Sequence, residues 1–302
     1  MRSTDGIATA SKVTWTAPSG DGDARLQSSR VSREVPSLSN QALRSFDGTM
    51  MRRQAGAGRA WHRLAGHAQS AARRLLPQAC ALCAGRAGDA LVCGACAAAL
   101  PYLPPACPVC ALPAPEAAVC GACLDRPPPF TATVAALVYA FPVDRLLQQL
   151  KYGGRLAFAD WAAEQLATAV AVALEARHEA DRPDRLVALP LASARQQQRG
   201  FNQAHEIALR VARRLGLPLA ASLERVTSGV PQAALRWSER AKNVRGAFAC
   251  RADVRGARIA LVDDVMTTGA TLAEAAATVR RAGAAQVECW VVARTLPPAR
   301  IR

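Results

Sequence analysis

Four Cys-x-x-Cys pairs lie between residues 80 and 123, and they limit the fold of this segment more than any other feature of the chain. Two residues separate the members of each pair, so both sulfurs can face one ion, and four thiolates satisfy the tetrahedral preference of zinc. A segment this short builds little hydrophobic core, so bound metal is the expected source of its stability. The cysteines are Cys80, Cys83, Cys93, Cys96, Cys107, Cys110, Cys120 and Cys123.

The gaps between successive pairs are similar, which indicates a duplicated two-knuckle hairpin with two zinc sites. The simplest assignment is 80/83/93/96 and 107/110/120/123; a crossed pairing is the alternative. An iron–sulfur cluster, disulfides in an exported protein and a redox dithiol are the alternative chemistries. No histidine joins the set and each site has four ligands, so we expect structural rather than catalytic zinc. Gly85, Gly94 and Gly121 are expected at the tight turns of the knuckles.

A second constraint is the string "IALVDDVMTTGATL", residues 259–272. Residues 259–262 suit a strand buried on both faces, and ligands of open α/β sheets bind beyond the carboxyl ends of the strands. Asp263 and Asp264 are expected at that end. Adjacent carboxylates repel a phosphate but suit the hydroxyls of a ribose or a divalent cation.

The Thr/Gly loop, residues 267–271, follows the two aspartates and leads into an Ala-rich helix. A helix N-terminus offers free backbone N–H groups and the positive end of the helix dipole, which together favour a phosphate. The string therefore predicts a site for a sugar that carries a phosphate. The alternative is a strand–helix junction in which Asp and Thr only cap the helix. The loop contains Thr267, Thr268, Gly269, Ala270 and Thr271.

The pattern from residue 129 onward predicts an α/β fold, with a parallel sheet flanked by helices. Strand-like runs (133–139, 185–190, 257–264 and 286–293) alternate with helical ones (143–152, 156–177, 202–215 and 270–282), as in βαβ units. We place a domain boundary near residue 128, after "PPP". Residues 61–128 are then a helix plus the zinc module, and residues 129–302 are the sheet domain. Residues 1–60 are expected to be disordered, or to precede a later start at Met50 or Met51.

The composition favours a polyanionic partner, because the net charge is +15 and the sequence pI is near 10.3. The alternative is that arginine simply covers solvated faces. The sequence shows no secretory signal and no apolar run of about 18 residues, so we expect a cytoplasmic protein without a membrane span. Thiols stay reduced in that compartment, which agrees with metal-binding cysteines.

The string at 259–272 resembles the phosphoribosyl pyrophosphate (PRPP) motif of type I phosphoribosyltransferases. The resemblance implies that Asp263 and Asp264 hold the ribose hydroxyls, that the Thr/Gly loop holds the 5′-phosphate and that Mg²⁺ accompanies PRPP. Three further segments, together with the cysteine module, resemble the ComF family of bacterial competence proteins over roughly residues 75–295. They are "LKYGGR" (150–155), "ALPLASARQQQRGFNQAHEIA" (188–208) and "PQAALRWSERAKNVRGAF" (231–248).

The ComF resemblance implies further ligand contacts. Lys151 would reach the ligand's phosphates, the alternative being a solvated lysine at a helix end. Arg195 and Arg199 lie near a turn after a strand, where Arg199 is the stronger candidate for the ligand. The segment 231–248 is a candidate flap over the ligand, and an ordinary surface helix is its alternative. The flap candidates are Gln232, Arg240, Asn243 and Arg245.

The expected activity is pentosyl transfer from PRPP, in a protein that resemblance connects with DNA uptake in natural transformation. The alternative is a non-enzymatic competence factor that binds single-stranded DNA and keeps a phosphoribosyl site; DNA-uptake proteins would be partners in either case. Aromatic residues make up only 5% of the chain, which leaves few platforms for stacking bases. The stacking candidates, each equally plausible as core, are Trp61, Tyr102, Trp237 and Trp290.

Overall fold

The computed structural model describes residues 78–226 and 245–297 of the 302-residue chain. The predictions for residues 1–60, for the helix at 61–76 and for most of the flap lie outside the described residues.

The cysteine module consists of two similar halves. In the first, strand β1 (Gln78–Ala79) pairs antiparallel with β2 (Arg86–Gly88), and helix α1 (Gly94–Ala98) follows. In the second, helix α2 (Gly121–Asp125) occupies the place equivalent to α1. Each cysteine of the first half recurs 27 positions later in the second, as the predicted duplication requires. We call the two halves the first ribbon (cysteines 80, 83, 93 and 96) and the second ribbon (cysteines 107, 110, 120 and 123).

Alanines, not the predicted glycines, take the left-handed turns of the knuckles. Ala84 has φ 58° and Ala111 has φ 55°, each directly after the second cysteine of a pair. Gly85, Gly94 and Gly121 have no positive φ, so that part of the sequence interpretation was wrong. A left-handed conformation costs an alanine about 1 kcal/mol. The surrounding backbone and the sulfur ligands can impose this conformation in spite of the cost.

The main sheet has four strands in the order β3-β8-β7-β4, and every neighbouring pair is parallel. The fold class predicted from the alternating pattern is therefore confirmed. A separate antiparallel pair, β5 and β6, lies between β4 and β7 in the chain. The strands are β3 (Thr133–Val138), β4 (Arg185–Ala188), β5 (Leu223–Arg225), β6 (Phe248–Cys250), β7 (Arg258–Met266) and β8 (Gln286–Arg294).

Four long helices match the predicted ones, and one short helix was missed. The segment that contains Arg195 and Arg199 was interpreted as a turn, but it forms a helix that ends at Gly200 with φ 77°. None of the helices in the described part of the chain is long and apolar enough to cross a membrane. The helices are α3 (Val143–Gly153), α4 (Ala157–Glu175), α5 (Ser193–Arg199), α6 (Gln203–Leu215) and α7 (Ala270–Arg281).

Strand β7 is buried on both faces, as its continuous apolar run predicts. Ala260 and Val262 pack into one core cluster with residues of α3, α4 and α6. Ile259 and Leu261 pack into a second cluster with residues of α7. The sheet is thus covered by helices on both sides, which is the arrangement of doubly wound α/β proteins.

Strand β7 is longer than predicted, and the extra length creates an open edge. The sequence predicted a strand-like run as far as residue 264, with Asp263 and Asp264 at its end, whereas β7 continues to Met266 alongside β8. Strand β4 has its last paired residue, Ala188, opposite Val262. Beyond that point β7 is paired with β8 alone, so Asp263 and Asp264 lie inside the strand next to the space that β4 leaves.

The zinc module joins the sheet along the free edge of β3. Val138 N–H donates to Pro101 O at 2.7 Å, and Thr133 N–H donates to Pro108 O at 2.9 Å. The Thr133 hydroxyl also donates to Val109 O at 2.6 Å. Backbone before and inside the second ribbon therefore covers a strand edge that would otherwise be exposed.

Candidate functional site

A cavity of about 510 Å³ lies at the carboxyl ends of β4 and β7. This position is where open α/β sheets bind ligands, and the volume is in the usual range for small-molecule sites. The predicted contacts that line the cavity are Lys151, Arg199, Asp263, Asp264, Thr267, Gly269 and Thr271.

Several predicted contacts lie elsewhere. Thr268 and Ala270 belong to the same loop but do not line the cavity. Arg245 is exposed in the turn before β6 and is also absent from the lining. The other flap candidates, Gln232, Arg240 and Asn243, lie outside the described residues.

The cavity also contains residues that sequence reasoning passed over. Tyr152 follows Lys151 directly in "LKYGGR", so the motif itself could have indicated it. Tyr139 lies just after β3, and Gln198 lies in the unpredicted helix α5. Arg225 comes from β5, a three-residue strand that has no recognisable sequence pattern.

Lys151 and Asp264 form a buried ion pair at the base of the cavity. Lys151 Nζ lies 2.5 Å from Asp264 Oδ2, and the two side chains are 17% and 5% exposed. Lys151 lies in the last turn of α3, which Gly154 ends in a left-handed conformation with φ 60°. The alternative of a solvated helix-end lysine therefore does not apply.

The two adjacent aspartates differ in acidity. Burial opposes ionisation of Asp264, but the Lys151 ammonium outweighs it, and the pKa of Asp264 is lowered. Burial and the neighbouring Asp264 carboxylate raise the pKa of Asp263 well above its ordinary value. Burial alone would lower the pKa of Lys151, yet Asp264 raises it. The site thus holds one carboxylate–ammonium pair and, beside it, a carboxyl that ionises less readily than an ordinary aspartate.

The Thr/Gly loop has the geometry of an anion site. Gly269 has φ 82°, and a Cβ on it would lie 2.7 Å from Met266 Cε, so a larger residue would be strained in φ and would have to displace the end of the Met266 side chain. Within the described part of the chain, no group accepts a hydrogen bond from the backbone N–H of Thr267, Thr268 or Gly269. Helix α7 begins at Ala270, whose N–H donates to Thr268 Oγ1 at 3.1 Å. These amides and the helix dipole favour a negative group.

Positive side chains form the opposite wall of the cavity. Arg199 donates to Gln203 Oε1 at 2.9 Å and lies 5.1 Å from the ring centre of Tyr152. Burial and the nearby Arg195 lower the pKa of Arg225, which shows how closely cationic groups approach one another here. A multiply charged anion would relieve this repulsion.

The two cysteine sets have the geometry that zinc requires. The four sulfurs of each ribbon lie within 4.8 Å of one another. Cys83 and Cys93 have their sulfurs 3.8 Å apart, and those of Cys110 and Cys120 are 3.6 Å apart. Tetrahedral Zn–S bonds of about 2.3 Å would place two sulfurs about 3.8 Å apart. The sequential assignment 80/83/93/96 and 107/110/120/123 is the one the structure adopts.

Backbone N–H groups favour the thiolate form of one cysteine in each ribbon. Cys93 N–H donates to Cys80 Sγ at 3.3 Å, and Cys120 N–H donates to Cys107 Sγ at 3.3 Å. Burial opposes the effect, but such bonds lower the pKa of Cys80 and of Cys107 to about 6. Hydrogen bonds with Cys83 and Cys93, in which the Cys96 thiol is the donor, raise the pKa of Cys96 to about 12. A cation is therefore needed before all four sulfurs of a ribbon can be thiolates together.

Known proteins resemble this chain over more than half of its length. The "DNA utilization protein YhgH" of Salmonella typhimurium is 37% identical over 174 residues, which cover 57% of this chain and 76% of that protein. "Competence protein F" of Haemophilus influenzae is 31% identical over 163 residues, 52% of this chain and 69% of that protein. The chain belongs to the ComF family.

Two domain families match successive parts of this ComF chain. Residues 71–124 match the family described as "Double zinc ribbon domain", in agreement with the two four-cysteine sites. Residues 202–299 match the family described as "Phosphoribosyl transferase domain", a range that includes β7, the Thr/Gly loop and α7.

A solved structure also resembles part of the ComF chain. The purine phosphoribosyltransferase from Pyrococcus horikoshii Ot3 shares 20% identity, with a TM-score of 0.29, over 47% of this chain and 92% of that one. The fold assignment itself comes from the strand order and from the domain family that matches residues 202–299.

Proposed function

We propose that the cavity binds PRPP or a related phosphoribosyl ligand and that the protein transfers the phosphoribosyl group to an acceptor. The observation that carries the proposal is the juxtaposition, in one cavity, of an aspartate pair and a Thr/Gly loop in which the backbone N–H groups of Thr267 and Gly269 have no acceptor among the described residues. A sugar with neutral hydroxyls in the middle and a phosphate at one end matches both. The domain family matched by residues 202–299 supports the same assignment.

Asp263 holds the ribose hydroxyls in this proposal. Its side chain lines the cavity, and its raised pKa favours the protonated form, which can both donate to and accept from a diol. Asp264 acts through Lys151: their 2.5 Å ion pair keeps the ammonium beside the cavity. The 5′-phosphate lies against the backbone N–H groups of the Thr/Gly loop, at the positive end of α7.

The pyrophosphate faces the basic wall. Lys151 and Arg199 are the cations proposed to contact it, and the Tyr152 ring fixes the Arg199 guanidinium in place. Carboxylate oxygens at Asp263 are donors of the kind that Mg²⁺ prefers, so this residue fits a metal carried in with the ligand. That ion would supply neutralisation of the pyrophosphate.

Transfer breaks the bond between the anomeric carbon and the pyrophosphate oxygen, and the electron pair leaves with pyrophosphate. The acceptor supplies the pair that forms the new bond. Positive charge grows on the ring near Asp263, while negative charge grows on the leaving group near Lys151 and Arg199. Positioning and electrostatic stabilisation therefore account for the rate, and the aspartates need not act as bases.

A second candidate function is the binding of single-stranded DNA without transfer. The net charge of +15 and the names of the relatives, "DNA utilization protein YhgH" and "Competence protein F", favour it. The stacking platforms are few: Trp290 is buried in the core, Tyr102 is exposed, and Trp61 and Trp237 lie outside the described residues. Either function is compatible with a role in DNA uptake during natural transformation, which we propose for this chain.

Pyrophosphate release distinguishes the two functions. The chain is incubated with PRPP and Mg²⁺ and with a panel of free bases and oligonucleotides, with an Asp263→Asn/Asp264→Asn variant as the inactive control. Acceptor-dependent release that the variant lacks supports transfer. Oligonucleotide binding that falls steeply with salt, without release by any acceptor, supports the binding function instead.

A further inference from the structure

Arg294, the last residue of β8, is a buried cation between the second ribbon and the Thr/Gly loop. The residue is 3% exposed. Its Nε donates to Cys110 O at 2.9 Å, and its Nη1 donates to Met266 O at 2.9 Å and to Thr267 O. One guanidinium thus connects a cysteine of the zinc module with the strand end that leads into the loop.

The positive charge of Arg294 is not balanced by an acidic side chain: among the described residues, no carboxylate forms an ion pair with it. A buried cation needs compensation by negative charge as well as by carbonyl dipoles. Four thiolates around one Zn²⁺ carry a net charge of about −2, and Cys110 belongs to such a set. The loaded second ribbon is therefore the group that balances Arg294.

The contacts of Arg294 also fix the direction of the loop amides. In a trans peptide the C=O and the following N–H point in opposite directions. Because Arg294 holds the carbonyls of Met266 and Thr267, the N–H groups of Thr267 and Thr268 point away from it. These two amides lack an acceptor among the described residues. Arg294 thus sets the orientation of donors assigned above to the 5′-phosphate.

We propose that Arg294 is a positioning residue through which the second ribbon, loaded with zinc, holds the Thr/Gly loop in its anion-binding conformation. The effect on a phosphoribosyl ligand rests on the proposed function; the ordering of the loop by the ribbon does not. The first ribbon serves as an internal control, because no side chain of the described residues joins it to the loop in this way.

The test compares full-length variants that lose one zinc each. Cys110→Ser removes a ligand of the second ribbon, and Cys83→Ser removes the equivalent ligand of the first. Hydrogen exchange is measured without ligand at Ala270 and Ala273, whose N–H groups donate to Thr268 Oγ1 and Gly269 O, together with the zinc content. We expect exchange of the loop to become about tenfold faster in Cys110→Ser and in Arg294→Met, and to stay as in the wild type in Cys83→Ser. Equal exchange of the loop in all four proteins, or equal acceleration in both cysteine variants, would overturn the proposal.

Arg294→Lys guards against misfolding of Arg294→Met. It keeps a buried positive charge, but one ammonium cannot reach carbonyls on both sides, so zinc should be retained while loop exchange increases. Unchanged exchange in α4 (Ala157–Glu175) shows that the effect is local. A loop that exchanges as in the wild type in Arg294→Lys contradicts the bridging role.

If zinc in the second ribbon affects ligand binding at the loop, ligand binding must affect zinc binding in the second ribbon to the same extent. In Cys83→Ser, where only the second ribbon holds zinc, PRPP should raise the zinc affinity, measured at equilibrium against a competing chelator, about fivefold, and Arg294→Lys in the same background should abolish the increase. The zinc affinity of Cys110→Ser should not respond to PRPP. If PRPP does not bind the wild type at all, the proposed function fails, while the exchange experiment still decides the role of Arg294.

Discussion

At the scale of single residues, the site depends on the difference in acidity between the neighbouring Asp263 and Asp264. The ion pair with Lys151 lowers the pKa of Asp264, whereas partial burial beside that carboxylate raises the pKa of Asp263. A ligand that brings positive charge, or Mg²⁺, would favour ionisation of Asp263. Binding energy and protonation are therefore coupled at this one residue.

Asp263→Asn is predicted to stabilise the protein while weakening ligand binding. The pKa of Asp263 is raised in the folded state, so the folded state holds this proton more tightly than the unfolded state does. The free energy of unfolding therefore falls as pH rises from the ordinary value of 3.8 towards the raised value. Asn cannot ionise, so the Asp263→Asn protein should not lose this stability. Its melting temperature at neutral pH should rise by about 3 °C for each kcal/mol of unfolding free energy that is recovered. Thermal melts from about pH 4 to about pH 8 check this, and an unchanged pH profile in Asp263→Asn would contradict it.

Lys151→Met is predicted to lower the free energy of unfolding by about 3 kcal/mol, because it leaves Asp264 as an uncompensated buried charge. Adding Asp264→Asn should restore most of the loss. Denaturant melts of the two single variants and the double variant give the coupling energy. Arg255→Met, which breaks an exposed pair with Asp253, is the control and should have no measurable effect. Additive losses in the double variant would argue against a coupled pair.

At the scale of elements, the site exists because β7 extends beyond the last residue that pairs with β4. Residues 263–266 are hydrogen-bonded on one side alone, and the Thr/Gly loop turns directly from this open edge into α7. Gly269 makes that turn possible, since glycine adopts φ 82° without strain and a Cβ at this position would have to displace the end of the Met266 side chain.

Gly269→Ala is predicted to lose anion binding and to destabilise the protein by more than about 1 kcal/mol. Gly216→Ala is the matched control: Gly216 also has a positive φ, of 68°, but nothing lies within 4 Å of an added Cβ. Both variants incur the cost of a left-handed alanine, and Gly269→Ala alone displaces Met266. Denaturant melts and titration with inorganic phosphate separate the two effects. Equal losses in both variants would show that close packing at Gly269 does not matter.

The long elements could be predicted from the sequence because their periodic patterns are strong. The strands around 259–262 and 286–293 are apolar runs, and the helices at 143–152 and 203–215 are amphipathic. The short α5 was missed, since "SARQQQR" has no apolar face to signal a helix. The last two residues of β7, Val265 and Met266, were missed as well, because aspartates rarely continue a buried strand and here Lys151 compensates one of them. Arg225 and Arg294 could not be found, because their roles depend on strands that are distant in sequence.

At the scale of the whole molecule, the zinc module is part of the sheet's support. It covers the edge of β3 with backbone hydrogen bonds and reaches the cavity region through Arg294. The domain boundary near residue 128 stays a prediction. Hydrogen bonds from Thr133 to Pro108 and Val109 cross it, so loss of metal should be felt on both sides.

Metal analysis should find about two zinc ions per chain, released when the thiols are modified. Complete removal by a chelator is expected to unfold the ribbons and lower the melting temperature of the remainder, because the edge of β3 loses its cover. Cys250→Ser, at a cysteine outside both ribbons, is the control and should keep both ions. One ion per chain, or a melting temperature that chelation leaves unchanged, would contradict the assignment of two structural sites.

Isothermal titration with PRPP and Mg²⁺ tests the central claim most directly. The account predicts one binding event per chain in the wild type and its loss, by a factor of about 100 or more, in Asp263→Asn/Asp264→Asn. Asp253→Asn, at an exposed aspartate paired with Arg255, should bind as the wild type does. Equal affinity of the wild type and the double variant would contradict the assignment of Asp263 to the ribose and of Asp264 to the positioning of Lys151.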